Sequence, residues 1–356
     1  MSPSFNSVVV PSSEVKRHSV IGMSNESRVT LTRIPRRRFL QASLAAAGWA
    51  WSGLPLHGAV SYENLRTDDY LGPVQVLTKL SGKPFTEGPT ADRDGNLYFT
   101  NVPVNQILKW EVSEKRLSVF RSDSNEANGL LFDREGRLLA CEGGTRRVTR
   151  MDMKTGKIEV LADRYQGKPL AKPNDLCLDR AGRIYFTSRS AADDPADENP
   201  KGVYRLDPDG RLTRVVTYPE MHMPNGIDLS PDGKQLYIID SHPGEGFQRN
   251  VRVYDVDGEG NLRGGRVLID FSPGRSGDGM CVDSEGNLYI AAGLHKTRGT
   301  SETLATRPGI HVFSPAGQLL GFRETPEDTI TNCAFGGPNH KTLFVTCGSL
   351  LLCMET

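Results

Sequence analysis

The 356-residue chain lacks several features that would place it in a broad class of protein. Its 43 basic residues balance its 43 acidic ones, and no block of basic residues lies beyond the first 60 positions, so nucleic acid is not expected as a partner. After residue 60 no apolar run is long enough to cross a bilayer, and the mature form is not expected in a membrane. What the chain does have is 37 glycines and 22 prolines, as many short strands joined by turns require.

Cysteine is sparse, and its spacing excludes a common kind of metal site. The six cysteines include no Cys-x-x-Cys pair, which argues against thiolate ligands. Four of them lie in apolar strand patterns, where a thiol packs as a small hydrophobic group. Cys347 and Cys353 are close enough in sequence to form a disulfide, but free buried thiols are the expectation.

The first 59 residues form a leader that is distinct from the rest of the chain. Arginines at 36–38 precede a weakly apolar stretch, Ala42 to Leu56, which is typical of a twin-arginine export signal. The alternative is a basic tail before a short core helix. We expect cleavage near Ala59, export by the twin-arginine translocation machinery, a periplasmic or secreted protein, and one folded domain over residues 60–356.

A turn followed by a strand recurs six times in that domain. Examples are Asp133-Arg134-Glu135-Gly136-Arg137-Leu138-Leu139 and Asp283-Ser284-Glu285-Gly286-Asn287-Leu288-Tyr289. The glycines of the first five turns, at positions 95, 136, 182, 233 and 286, are 41, 46, 51 and 53 residues apart, a period typical of propeller blades. Two further alternating segments follow each turn and strand. The sequence therefore predicts an all-β, six-bladed β-propeller with four-stranded blades.

The last blade is one strand short at the C-terminus. Its third strand is predicted at Leu350–Cys353, after which the chain ends. A segment at the other end, Val74–Leu77, resembles the outer strands of the other blades. We expect this N-terminal strand to pair with the C-terminal blade and close the ring, which would leave no open sheet edges.

One polar residue stands five positions ahead of each turn and opens a short apolar segment. The six are Glu87, Asn128, Asn174, Asn225, Asp278 and Asn332. Because the first strand of a blade lies innermost, these side chains are expected to converge at one mouth of the channel. The alternative is that the Asn-Gly and Asp-Gly pairs simply form turns, although Glu87 is a poor turn former in the same position.

Two carboxylates in a narrow channel predict a bound cation, since an uncompensated buried pair is costly. Carboxylate and amide oxygens without His or Cys favour Ca²⁺, Mg²⁺ or Mn²⁺. Ca²⁺ tolerates irregular geometry and is the expected ion. Zn²⁺ held through oxygens is a further alternative.

Five segments together resemble the gluconolactonase/regucalcin (senescence marker protein) family over about residues 75–353. They are Phe85-Thr86-Glu87-Gly88-Pro89, Cys141-Glu142-Gly143-Gly144-Thr145-Arg146-Arg147-Val148, Pro173-Asn174-Asp175-Leu176, Pro224-Asn225-Gly226-Ile227 and Asp278-Gly279-Met280-Cys281-Val282-Asp283. The resemblance implies a propeller with one divalent cation that hydrolyses a sugar lactone. It also implies that Glu87, Asn225 and Asp278 are metal ligands and that Asp278 is the acid/base. Asn174 is then a fourth, more distant ligand or a substrate contact.

Four more residues are candidates for contacting the substrate: Asn128, Glu142, Arg189 and His222. For Glu142 a surface ion-pair network is the alternative, and for His222 a solvated loop histidine. Bacterial relatives often carry an acid where this chain has Thr187-Ser188-Arg189, so the identity of the substrate stays open.

The expected function is a divalent-metal-dependent hydrolase that opens a sugar lactone. The alternatives are a propeller that binds sugar or calcium without turnover, and a related arylesterase or strictosidine synthase-like propeller. A serine hydrolase is not expected, since the chain has no Gly-x-Ser-x-Gly motif.

Overall fold

A computed structural model describes residues 60–189 and 201–356. The predicted leader, its cleavage point near Ala59 and residues 190–200 lie outside this description. None of the helices in the described part is both long and apolar enough to span a bilayer. Short 3₁₀ helices occur at Thr67–Asp69 and Val102–Val104, and the remaining regular structure is β-strand.

The strands are numbered in chain order. The first nine are β1 (Gln75–Lys79), β2 (Thr86–Ala91), β3 (Leu97–Asn101), β4 (Gln106–Glu111), β5 (Arg116–Ser122), β6 (Ala127–Phe132), β7 (Leu138–Glu142), β8 (Arg147–Met151) and β9 (Ile158–Ala162). The next ten are β10 (Arg164–Tyr165), β11 (Lys168–Pro169), β12 (Lys172–Leu178), β13 (Ile184–Arg189), β14 (Gly202–Leu206), β15 (Leu212–Thr217), β16 (Pro224–Leu229), β17 (Gln235–Ser241), β18 (Arg249–Val256) and β19 (Leu262–Asp270). The last seven are β20 (Gly277–Val282), β21 (Leu288–Ala292), β22 (Gly309–Phe313), β23 (Leu319–Glu324), β24 (Ile330–Gly336), β25 (Thr342–Cys347) and β26 (Leu350–Glu355).

These strands form six four-stranded antiparallel sheets, which confirms the predicted six-bladed β-propeller. The sheets are β2-β3-β4-β5, β6-β7-β8-β9, β12-β13-β14-β15, β16-β17-β18-β19, β20-β21-β22-β23 and β1-β26-β25-β24, with a small β10-β11 hairpin beside them. The innermost strands β2, β6, β12, β16, β20 and β24 contact one another in cyclic order. Their N-terminal ends carry the six recurrent polar residues.

The sixth sheet combines the two ends of the described domain. Strand β1 pairs antiparallel with β26, with Gln75 opposite Cys353 and Lys79 opposite Leu350. The strand occupies residues 75–79, close to the expected range of 74–77.

The recurrent turn joins the first strand of a blade to the second through an aspartate side chain. Asp133 Oδ1 accepts hydrogen bonds from the backbone N–H groups of Glu135 (3.1 Å) and Arg137 (2.8 Å). Gly136 has φ +78°, a conformation that glycine adopts without the steric cost of a side chain. The same aspartate bonds recur at Asp92, Asp179 and Asp283. This geometry explains why the turn repeats so clearly in sequence.

The core is divided into six apolar clusters, each packed between two adjacent sheets. In one of them, Leu97 and Phe99 of the first blade pack with Phe344 and Leu351 of the last. The six cysteines are free thiols, as expected. Cys347 and Cys353 belong to different clusters, so the two do not form a disulfide.

Replacing Phe99 by Ala should destabilise the domain strongly. The side chain is fully buried where the first and last blades meet, and a buried Phe→Ala change typically costs about 3–5 kcal/mol. Urea unfolding followed by far-UV circular dichroism measures the change. Val119→Ala is the control, since Val119 is 51% exposed and its truncation should stay within about 0.5 kcal/mol. Equal unfolding midpoints for the two variants would show that this cluster does not hold the blades together.

Candidate functional site

The six recurrent polar residues lie where the innermost strands leave regular pairing. The register between β2 and β3 shifts between Glu87 and Thr90, and that between β20 and β21 shifts between Gly277 and Met280. Equivalent irregularities occur in β6, β12, β16 and β24. A bulge re-aims the side chains next to it. The repeat therefore places one polar side chain within or directly beside an irregularity of the innermost strand in every blade.

The glycines that follow these residues lie in strands rather than in turns, so the turn interpretation of the Asn-Gly and Asp-Gly pairs is wrong. A methyl group added to Gly88 would lie 2.0 Å from the backbone oxygen of Asn128 on the neighbouring blade. One added to Gly226 would lie 2.7 Å from the backbone oxygen of Asp278. Neighbouring inner strands thus approach closely enough at the polar positions to require glycine.

Glu87 is buried with one carboxylate oxygen unsatisfied. The residue is 2% exposed, and Oε1 has no hydrogen-bond partner among the described residues. Oε2 accepts a hydrogen bond of 3.3 Å from the N–H of Gly88. Burial raises the pKa of Glu87 well above its usual range, the nearby Asp278 carboxylate raises it further, and Arg189 opposes both effects. This is an environment that would favour a positive ion beside Oε1.

Asp278 lies in the same buried group, but both of its oxygens accept hydrogen bonds. Oδ1 is 2.5 Å from Asn225 Nδ2, and Oδ2 is 2.6 Å from Arg275 Nη2. Asn225 Nδ2 also donates to Ser241 Oγ at 3.0 Å. The predicted pair of Glu87 and Asp278 is therefore brought together, with Asn225 beside it.

Arg275 is a residue of this site that the sequence patterns did not single out. It is 7% exposed, and its Nη1 donates to the backbone oxygen of Ile330 at 3.0 Å, which ties the Asp278 carboxylate to the last blade. Arg275 stands three positions before the recurrent polar residue, a slot that is different in every other blade. Those blades carry Pro84, Asn125, Ala171, His222 and Thr329 there. No repeat can reveal a residue that occurs in one blade only.

Three other predicted residues lie around this group. Asn174 on β12 is 5% exposed, and Asn128 on β6 is half-buried. Arg189, at the end of β13, is close enough to Glu87 to lower its pKa and lies 3.5 Å through Nη1 from Ser241 Oγ. The serine therefore links Arg189 to Asn225 along one side of the site.

His222 lies beside the group, in a segment held by a buried aspartate. Asp240 is fully buried and accepts the backbone N–H groups of His222 and Met223, each at 2.8 Å. His222 Nδ1 is 3.7 Å from Asp240 Oδ2. Asp240 thus positions the residues that lead into Asn225, and the sequence patterns had not identified it.

Glu142 lies opposite Ala127 in the β6–β7 pair, but its hydrogen bonds go to other residues than the Glu87 pair. Its side chain is fully buried and accepts hydrogen bonds from Arg121 Nη1 (2.9 Å), Arg147 Nε (2.7 Å) and Thr149 Oγ1 (3.1 Å). Asn125 Nδ2 donates to it as well. The carboxylate that was expected to contact the substrate is instead saturated by an ion-pair network, the stated alternative, which is buried and joins the first blade to the second.

Asn332 forms its side-chain hydrogen bond with a residue other than Glu87 or Asp278. Its Nδ2 donates at 3.0 Å to Asp175 Oδ2, which joins the sixth blade to the third. Burial raises the pKa of Asp175 to about 7. The sixth recurrent residue is therefore bound to a buried acid that the repeat did not single out.

The residues around Glu87 suit a hard divalent cation. Two carboxylates and the amides of Asn225 and Asn174 come from four different blades and offer only oxygen as ligand atoms. The described residues contain no group of three or more His, Cys, Asp or Glu that could hold a metal. A cation here therefore depends on amide oxygens as well as on the two acids.

Comparisons with known proteins identify relatives along most of the chain. Residues 85–349 match the family model described as SMP-30/Gluconolactonase/LRE-like region. A gluconolactonase of Zymomonas mobilis subsp. mobilis is 31% identical over 307 residues, which cover 78% of this chain and 80% of that protein. A regucalcin of Danio rerio is 26% identical over 256 residues, covering 72% of this chain and 79% of that one.

Solved structures share the architecture. A gluconolactonase of Xanthomonas campestris has a TM-score of 0.67 and 29% identity, and the match covers 79% of this chain and 89% of that one. A calcium-binding protein, regucalcin, of Agrobacterium tumefaciens has a TM-score of 0.64 at 19% identity, with 80% and 93% covered, which bears on the fold alone.

Proposed function

Since this chain belongs to the SMP-30/gluconolactonase/LRE-like family, we propose that it hydrolyses a sugar lactone with the help of a divalent cation. One observation carries the proposal beyond the family: Glu87 is buried next to Asp278 with Oε1 unsatisfied. Two acids in such a place are costly without a positive ion.

Glu87, Asn225 and Asp278 would hold the cation, with Asn174 as a more distant ligand or a contact to the substrate. Ca²⁺ is our first choice because its ligand shell tolerates irregular geometry, with Mg²⁺, Mn²⁺ and Zn²⁺ as alternatives. A bound divalent cation polarises a carbonyl group and stabilises the negative charge that develops on its oxygen. Asn225 would coordinate through its amide oxygen, whereas its Nδ2 now donates to Asp278 Oδ1.

The reaction moves one proton from the water to the ring oxygen in two transfers, and we assign both to Asp278. Water adds to the lactone carbonyl carbon, the bond from that carbon to the ring oxygen breaks, and the ring oxygen takes a proton to give the hydroxy acid. Oδ1 receives the proton of the water and returns it to the ring oxygen, while Arg275 keeps Oδ2 in place. A positioned general base typically contributes about 10²–10⁴-fold to the rate.

The sugar hydroxyls would be bound by Arg189, Asn174 and Asn128, and His222 would lie beside the bound ring. Arg189 supports this role because its guanidinium approaches Glu87, while its only side-chain hydrogen bond to a described residue is the long one to Ser241. Glu142 is no longer included, because its carboxylate is already saturated.

A second candidate function is a propeller that binds a sugar or calcium without turnover. It is favoured by the state of Asp278, whose two oxygens both accept hydrogen bonds and so offer no free base. The same ring of residues could hold a cation and a sugar without reacting.

Removal of the cation should reduce lactone hydrolysis to the spontaneous rate. We would follow acid release from D-glucono-1,5-lactone in a pH-stat, with protein prepared without chelator, after chelation, and after Ca²⁺ is added back. Metal analysis of the first sample identifies the ion. Turnover that survives complete metal loss would contradict a cation-dependent hydrolase. Sugar binding without any turnover above the spontaneous rate would establish the binding propeller instead.

A further inference from the structure

Next to the candidate site lies a cavity of about 610 Å³, whose walls are rich in aromatic rings. Tyr218, His222, His242 and Phe247 line it, together with the segment 299–301. The volume falls within the range of about 300–1,000 Å³ that is usual for small-ligand pockets.

The rings in this cavity form one connected cluster. The ring centroids of His242 and Phe247 are 3.7 Å apart at 33°. His222 meets Phe247 at 5.0 Å and Tyr218 at 5.4 Å, both edge to face. Among the described residues, the exposed large hydrophobic side chains include only two aromatic ones, Tyr218 (57%) and Phe247 (37%), and both line this cavity. Exposed apolar side chains that cluster in a cavity are typical of a binding surface, whereas single exposed ones are not.

The walls of the cavity are fixed by a buried arginine. Arg249 is 5% exposed, and its guanidinium donates to the backbone oxygens of His242 (3.1 Å), Pro243 (3.0 Å) and Gly244 (2.9 Å). It also donates to Ser301 Oγ, and Ser301 in turn donates through Oγ to the backbone oxygen of Pro243 at 2.9 Å. Segments 242–244 and 299–301 are thus held together by one buried group, so the part of the cavity lining that they form is fixed by the fold.

The cavity shares a wall with the group around Glu87. His242 follows Ser241, whose Oγ accepts the Asn225 amide at 3.0 Å. On the other side, His222 stands three residues before Asn225, with its backbone held by Asp240. A ligand centred at Asn225 could therefore extend a substituent past His222 towards Phe247, whose ring centroid lies 5.0 Å from that of His222.

We propose that this cavity is a subsite for a second sugar unit, and that the substrate is a lactone carrying a glycosidically linked sugar. This inference rests on the proposed lactone hydrolysis. A pyranose ring presents C–H groups on its faces, which pack on aromatic rings such as Phe247, and hydroxyl groups around its edge. The exposed Glu245 carboxylate at the rim is an acceptor for such hydroxyls. A purely aliphatic substituent could not donate a hydrogen bond to this carboxylate.

The test compares two lactones that differ by one sugar. Wild type should hydrolyse cellobiono-1,5-lactone with a kcat/KM about tenfold above that for D-glucono-1,5-lactone, since a stacking contact of about 1.4 kcal/mol corresponds to that factor. Phe247→Ala and Tyr218→Ala should each lower this ratio several-fold, and the double variant should bring it to about one. Val160→Ala, at an exposed position on β9, is the control and should keep the wild-type ratio.

Two further measurements separate the possible failures. Calorimetric titration with cellobionate and with gluconate requires no turnover. If cellobionate binds more tightly than gluconate, and Phe247→Ala removes this difference, the subsite is supported even if no lactone is hydrolysed. If the enzyme hydrolyses both lactones with equal kcat/KM and the variants leave these values unchanged, the subsite proposal is overturned. The proposed lactone hydrolysis is not affected by that result. Variants that lower hydrolysis of the aryl lactone dihydrocoumarin but not of the disaccharide lactone would also overturn it.

Discussion

Replacing Asp278 by Asn should lower kcat/KM for gluconolactone by about 10²–10⁴-fold at saturating cation, the range of a lost general base. The amide has nearly the same shape, but it can no longer take a proton from water. It also leaves the buried Arg275 without a carboxylate, and losing one partner of such a pair typically costs about 3–5 kcal/mol. Activity, melting temperature and cation binding must therefore be measured on the same preparation.

The matched control is Asp255→Asn, which removes a carboxylate of 63% exposure on an outer part of the fourth blade. It should leave kcat/KM within twofold. Full activity in a folded, cation-bound Asp278→Asn protein would exclude Asp278 as the base. The lost activity should not return at higher Ca²⁺ concentration if the base assignment is right. Recovery at high Ca²⁺ would assign Asp278 to the cation alone.

The six blades and the convergence of their polar residues could be predicted because both are repeated. Each aspartate turn uses the same side-chain bonds, as at Asp133, so the same residues recur at a nearly constant period. The family resemblance was confirmed, and the motifs that carried it surround those repeated positions. Repetition, however, reveals a position and not what the residue there will touch.

What the repeat could not reveal are the contacts that occur once. Arg275 determines how Asp278 is held, but it belongs to a single blade. Asp240 holds the backbone ahead of Asn225, and Asn101 in the first blade makes the equivalent bond from a different residue type. Glu142 shows the opposite error. It was expected to contact the substrate, with an ion-pair network as the alternative. In the structure the chain turns back, and Arg147 on β8 reaches Glu142 on β7. Cross-strand pairing of this kind is decided by the register, which a list of charged residues does not contain.

Replacing Glu87 by Gln should make the cation-free protein more stable than wild type, and the cation-loaded protein less stable than wild type. Burial holds the pKa of Glu87 well above its ordinary value of 4.5, so the folded protein binds this proton more tightly than the unfolded chain. Stability of the cation-free wild type must therefore fall as the pH rises from about 4.5 through the folded-state pKa. The Gln variant lacks this loss and should unfold at higher urea concentration than wild type at pH 8. Asp175 titrates in both proteins, so the difference between them reports Glu87 together with its interactions with Asp175 and Asp278.

Added Ca²⁺ should reverse that order. A ligand that binds only the folded state stabilises it by about 2.7 kcal/mol at a hundred times its Kd, and wild type should gain such an amount. The Gln variant should gain little, since it has lost one of the two charges that attract the ion. Glu285→Gln, an exposed turn position, should behave as wild type in both conditions. If the cation-free wild type is more stable than Glu87→Gln throughout pH 5–8, the buried carboxylate does not destabilise the folded state. A cation would then have no electrostatic cost to offset at Glu87. The cation would then have to be held elsewhere in the propeller.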